Sequence, residues 1–93
     1  MIKEFGNKET EQIWKGIRST KLPNEIQDVE RRKLRMINNS QELNDLRVPP
    51  ANRVEKLKGD LSDHFSIRIN DRWRIIFVWN SNDAFDVQII DYH

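Results

Sequence analysis

Two arginines stand in the most apolar stretch of this chain. The segment WRIIFVW, residues 73–79, alternates Trp73, Ile75, Phe77 and Trp79 on one face with Arg74, Ile76 and Val78 on the other. Just upstream, SIRIN holds Arg68 in a similar position. A lone buried charge is costly, so both guanidiniums either reach water or are placed to hold something anionic. The other residues able to carry or move charge beside them are Lys56 and Lys58 in VEKLK and the closing Asp91, Tyr92 and His93.

Whether these side chains meet depends on strand register. Phe65, Ile67 and Ile69 must share a face with Trp73, Ile75 and Phe77 if a core is to close. A three-residue loop, Asn70-Asp71-Arg72, pairs Ile67 with Ile75 and Phe65 with Phe77, and sets Arg68 directly opposite Arg74. Like charges across a rung are unfavourable unless an anion or an acid lies between them. In the next hairpin, Trp79 facing Phe85 leaves a five-residue loop, NSNDA, with Phe77 by Val87 and Ile75 by Ile89. Arg74 then neighbours Ile90. With Leu57 turned to the core, Lys56 and Lys58 point the other way. The expected result is an anion clamp of Lys56, Lys58, Arg68 and Arg74, with Asp91, Tyr92 and His93 at its rim.

These strand candidates, near 54–58, 64–70, 72–79 and 84–90, follow a helical half. MIKEF reads as a short strand. Asn7 caps a helix from Lys8, with Glu9 and Glu11 at its positive end, Lys15 and Arg18 at its negative end, and Ile13, Trp14 and Ile17 as one stripe. STKLP breaks it, and Pro23 opens a second helix that carries Ile26, Val29, Leu34 and Ile37 inward and stops at Asn38-Asn39. Its basic block, Arg31, Arg32, Lys33 and Arg35, reads as a solvated helix end. Pro49-Pro50 set a bend between the two halves. The fold class expected is α+β, with helices on one side of an antiparallel sheet.

Ninety-three residues suit one small domain, 1–93. Apolar residues are 37% and charged residues 33%, the balance of a solvated globular chain. No apolar run reaches membrane-spanning length, and MIKEFGNKETEQ turns polar too soon for a signal peptide. With no cysteine and only His64 and His93, neither disulfide nor metal centre is expected, and a cytoplasmic protein without cofactor is the default. The net charge of +1 hides an asymmetry. All sixteen Lys and Arg lie within residues 1–74 against twelve acids, while residues 75–93 hold only Asp83, Asp86 and Asp91. A basic front suits nucleic acid, though an ordinary solvated surface accounts for it equally well.

The stretch LKGDLSDHFSIRINDRWRIIFVW, followed by DAFDVQIIDYH, resembles the HigB branch of the RelE/ParE toxin superfamily, which includes the plasmid maintenance killer group. MIKEF, LRVPPANRVEKLKGD and the closing DYH match as well, so the resemblance spans the chain. It implies a RelE-like fold, two N-terminal helices on a twisted, mainly antiparallel sheet. It implies a metal-independent mRNA endoribonuclease acting in the A site of the ribosome, against its 16S rRNA. The partner implied is a helix-turn-helix antitoxin of the HigA type, through which alone operator DNA is reached; no membrane is involved. Such cleavage needs a base for the 2′-hydroxyl, an acid for the departing 5′-oxygen and cations for the phosphorane. The residues fit this chemistry: Arg74 and Arg68 with Lys56 or Lys58 can supply the cations, His93 can serve as acid or base, Asp91 can orient or activate it, and Tyr92 can stack on a base or donate a proton. The resemblance implies these roles for Arg74, Asp91, Tyr92 and His93. Some relatives carry a histidine shortly before LKGD where this chain has Glu55. Glutamate is a base but, with an ordinary pKa of about 4.3, a poor acid, so acid and base stay unassigned.

The plain readings stand beside these. His64 reads as structural or partly exposed, Asp60 and Asp63 as turn residues, and Gly59 as a turn glycine. Trp14, Trp73 and Trp79 read as core. The alternative function is a ParE-like toxin that poisons DNA gyrase and cuts nothing; such toxins generally lack the acid–base set, so DYH argues against it. A third is an inactive member kept as a binding module for its antitoxin.

Overall fold

A run of capped, short elements builds the helical half. In the computed structural model, which describes residues 1–92, helix α1 spans Lys8–Trp14. Asn7 has extended backbone, and its side chain accepts the Thr10 N–H at 2.9 Å, as an N-cap should. The helix ends sooner than its sequence suggests, because Gly16 turns left-handed at φ 83°. Ile13 is fully buried and Trp14 half-buried, but Ile17 lies beyond the turn and is 50% exposed. Lys15 and Arg18 likewise fall past the last helical residue, so no base sits in the final turn.

Pro23 leads into a 3-10 turn, Asn24–Ile26, and helix α2 follows over Gln27–Asn39. Ile26, Leu34 and Ile37 are buried and Val29 is half-buried. Polar residues share that buried side. The Gln27 amide accepts from Ser19 N–H and donates to the Ser19 and Leu22 carbonyls, stapling the interhelical loop to α2. The basic block therefore divides instead of forming one solvated end. Arg32 and Arg35 are exposed, Arg31 Nε donates to the Ile13 carbonyl at 3.0 Å, and Lys33 is buried with its ammonium on Asn52 Oδ1. Asn52 in turn donates to the Leu46 carbonyl, tying two further 3-10 turns, Leu43–Arg47 and Pro50–Asn52, to the helix.

Four antiparallel strands follow in spatial order β1-β2-β3-β4: β1 Glu55–Lys56, β2 His64–Arg68, β3 Trp73–Asn80 and β4 Asp83–Asp91. A 3-10 turn, Gly59–Leu61, joins the first two. The β2–β3 register is the expected one: Phe65 faces Phe77, Ile67 faces Ile75 and Arg68 faces Arg74. Asn70 Oδ1 closes the loop by accepting the N–H groups of Arg72 and Trp73.

The β3–β4 hairpin corrects the expected loop. Ser81 and Asn82 both have positive φ, 53° and 63°, and form a two-residue turn beneath an Asn80–Asp83 pair. Such a turn matches the twist of its strands. Trp79 thus faces Ala84, and Val78 faces Phe85. One extra residue is then absorbed at Asp86, φ 53°, by a bulge. Beyond it Ile75 faces Ile89 and Arg74 faces Ile90, as expected.

The MIKEF segment makes only isolated bridges, Ile2 with Ala84 and Phe5 with Val87, parallel to the outer edge of β4. Gly6 permits this approach, since a Cβ there would lie 2.2 Å from Asp86 Oδ1. Ile13, Leu34 and Ile37 from the helices meet Ile67, Ile75, Phe77, Val87 and Ile89 from one sheet face. All three tryptophans pack around this core, as expected.

Candidate active site

Strand alternation puts Arg74 on the sheet face opposite the helices, because its neighbour Ile75 belongs to the core. Cross-strand pairing brings three residues to the same face: Arg68 opposite Arg74, Ser66 opposite Ile76, and Glu55 opposite Ser66. The Arg74 side chain is 13% exposed. Its Nη1 donates to Ser66 Oγ at 3.4 Å and lies 3.8 Å from Glu55 Oε2. Tyr92 is anchored by its N–H on the Arg72 carbonyl at 2.7 Å, and its ring centre lies 5.4 Å from the Arg74 guanidinium carbon. A cation thus sits between a carboxylate, a hydroxyl and an aromatic face.

The facing arginines each have an acid of their own. Arg68 turns its guanidinium to Asp71, which is exposed in the hairpin loop, while Arg74 turns to Glu55. This removes the repulsion that the rung would otherwise carry. It also makes Arg74 the centre of the cluster and Arg68 a flanking charge.

Lys56 departs from the expected clamp. It pairs with Phe65, so it takes the aromatic side of the sheet, and its ammonium stands 5.0 Å over the Phe65 ring. A strand of two residues places Glu55 on the Arg74 face instead. Lys58 lies past the end of β1, exposed, and among the described residues has no ion-pair partner. The clamp of four cations is therefore reduced to Arg74 with Arg68 beside it.

Asp91 faces Trp73 across the ladder, so it points to the other side of the sheet from Arg74. Arg72 grips it, with Nε 2.9 Å from each carboxylate oxygen and Nη2 2.6 Å from Oδ2. These hydrogen bonds raise the Arg72 pKa further above its ordinary value. Arg72 and Ser66 are the two site residues that sequence reasoning missed. Parity marks both, since Ser66 shares a face with Arg68 and Arg72 lies next to the Trp73–Asp91 rung. His93 lies outside the described residues.

His64 is tied to β4 through a carboxylate. Its Nε2 is 2.8 Å from Asp86 Oδ2, which also accepts from Gln88 Nε2 at 3.1 Å. It pairs with Val78, four residues from Arg74, or about 13 Å along the strand. Among the described residues no group of three His, Asp or Glu is placed to hold a metal ion, and no helix is long and apolar enough to cross a membrane.

Two helices on one face of a four-stranded antiparallel sheet, with a polar cluster on the other, define a RelE-like α+β protein. Residues 3–93 match the family of HigB-like toxins, described as the RelE-like toxin of the type II toxin-antitoxin system HigB, and the chain belongs to that family. It is 40% identical over 90 residues to Toxin HigB-1 of Vibrio cholerae, covering 96% of this chain and 95% of that one. It is 33% identical over 96 residues to Endoribonuclease HigB of Proteus vulgaris, spanning both chains in full. A type II toxin has an antitoxin as its partner.

Proposed function

We propose that this toxin is a metal-independent endoribonuclease that cleaves messenger RNA in the ribosomal A site and so blocks translation. The observation that carries this reading is the placing of Arg74 among Glu55, Ser66 and Tyr92 on the sheet face opposite the helices. The name of the Proteus vulgaris relative supports it. In this reading one domain, residues 1–93, works in the cytoplasm. A HigA-type helix-turn-helix antitoxin neutralises it and brings it to operator DNA.

The chemistry follows from the cluster. The Arg74–Glu55 contact is long, 3.8 Å, and the Glu55 side chain is 53% exposed, so an incoming phosphate can displace Glu55 from Arg74. Glu55 is then an acceptor beside the scissile phosphate and takes the 2′-hydroxyl proton. Arg74 holds the phosphorane oxygens as charge builds, with Arg68 adding positive potential. Tyr92 stacks on a base. His93, the next residue in the chain, protonates the departing 5′-oxygen, leaving a 2′,3′-cyclic phosphate and a 5′-hydroxyl.

The test is primer-extension mapping of messenger RNA after induction of wild type, Arg74→Ala and His93→Ala at matched soluble levels. Translation-dependent cuts that vanish in both variants support the assignment. Growth arrest with intact messages overturns it and redirects attention to gyrase. Cuts that survive loss of His93 keep the nuclease but transfer proton donation to another group.

A further inference from the structure

The arginines of this protein fall into two sets. Arg18, Arg31, Arg68, Arg72 and Arg74 each have a carboxylate within 4 Å. Among the described residues Arg32, Arg35, Arg47 and Arg53 have none, and Arg32 and Arg35 lie together, exposed, on α2, a helix that also carries Asp28 and Glu30. They flank an open depression of about 410 Å³ between α2 and the segment that follows it. Its floor is apolar, formed by half-buried Met36 and buried Leu46. Its wall is Val48, at 75% the most exposed large apolar side chain among the described residues. The one acid lining it, Asp45, is spent on the chain itself, accepting the N–H groups of Gln41 and Glu42. The depression therefore presents a net positive charge around exposed apolar surface.

We propose that this groove docks the antitoxin through an acidic, amphipathic segment. Arg32 and Arg35 stand three residues apart on one helix face, with Cβ atoms about 5–6 Å apart. That spacing matches two carboxylates one turn apart on a partner helix, with an apolar side chain between them set on Met36 and Val48. Nucleic acid satisfies the two guanidiniums but leaves Val48 and Met36 without an apolar counterpart, so protein fits better. The groove borders α2, on the helical side of the sheet, and shares no residue with the Arg74 cluster.

The test is calorimetric titration of the purified toxin with its own purified antitoxin, with no RNA present, so the result is separate from the nuclease assignment. Arg32→Glu/Arg35→Glu is expected to weaken binding about 100-fold and Val48→Asp about tenfold, with melting temperature and RNA cleavage by the free toxin unchanged. Arg32→Gln/Arg35→Gln, a milder pair, should fall between. Antitoxin carrying Lys in place of the facing acids should regain affinity for the double Glu variant. Binding that equals wild type in both double variants overturns the proposal. So does a variant set that keeps antitoxin affinity but loses cleavage on ribosomes, which would assign the groove to RNA.

Discussion

The Arg74 guanidinium rests against the face of Tyr92, 5.4 Å from the ring centre, while the same group reaches Glu55 at 3.8 Å. The aromatic face orients the fork without consuming any of its N–H donors, which stay available for phosphate oxygens. Arg74→Ala should lower RNA cleavage by about 10²–10³-fold while far-UV circular dichroism stays native. Arg74→Lys restores a charge but not the planar fork and should recover only part of the rate. Tyr92→Phe should retain most activity if the ring acts by stacking, whereas Tyr92→Ala should lose about 10–100-fold. Single-turnover cleavage of a programmed ribosome measures all four.

Glu55 is the carboxylate beside Arg74, and Gln keeps its shape while removing its basicity. Glu55→Gln should lower the cleavage rate by about 10²–10⁴-fold with little effect on RNA binding. Because side chains supply both the charge and the proton transfers, toxin stripped with EDTA and desalted before it meets a programmed ribosome should cleave at the wild-type rate. A rate that falls after stripping and returns when the toxin is reloaded with a divalent ion would refute the side-chain mechanism.

Glu30 is fully buried in α2, neither carboxylate oxygen has a hydrogen-bond partner among the described residues, and burial raises its pKa from 4.5 to about 7. The folded protein therefore holds this proton more tightly than the unfolded chain does. The stabilisation it gives is fully present below about pH 4.5 and is lost as pH rises through about 7, on the order of 3 kcal/mol in all. Glu30→Gln removes the ionisation. Urea titrations from pH 5 to 8 should show wild type losing stability relative to Glu30→Gln, with the two curves closest at pH 5.

Gly6 has no space for a methyl group, since its Cβ would meet Asp86 Oδ1 at 2.2 Å and Gln88 Cγ at 2.4 Å. Gly6→Ala must either push Asp86 off His64 or lift the N-terminal segment from β4. The expected cost is about 1–3 kcal/mol, read as a lowered melting temperature. Amide exchange should quicken at Lys3 and Gly6, whose N–H groups bond Ala84 and Val87.

Register was legible wherever a short loop and two apolar faces constrained it. Phe65, Ile67 and Ile69 could meet Trp73, Ile75 and Phe77 in only one way, so the Arg68–Arg74 rung followed from parity. The bulge at Asp86 was not legible, because a non-glycine residue at positive φ leaves no compositional mark. Lys56 was misplaced for a related reason: two strand residues carry too little alternation to reveal a face. Lys33 read as part of a solvated helix end, and only the segments folded over α2 bury it together with Gln27 and Glu30. Arg72 was missed since an exposed loop arginine looks solvated until the strand that ends at Asp91 comes alongside.

The parallel seam between the first residues and β4 has a consequence for the birth of the molecule. Ile2 and Phe5 settle only against Ala84 and Val87, near the far end of the chain. Tyr92, which cradles Arg74, is later still. Until β4 has been made, the opening segment has nothing to dock on, so this seam closes late and across a very long stretch of chain.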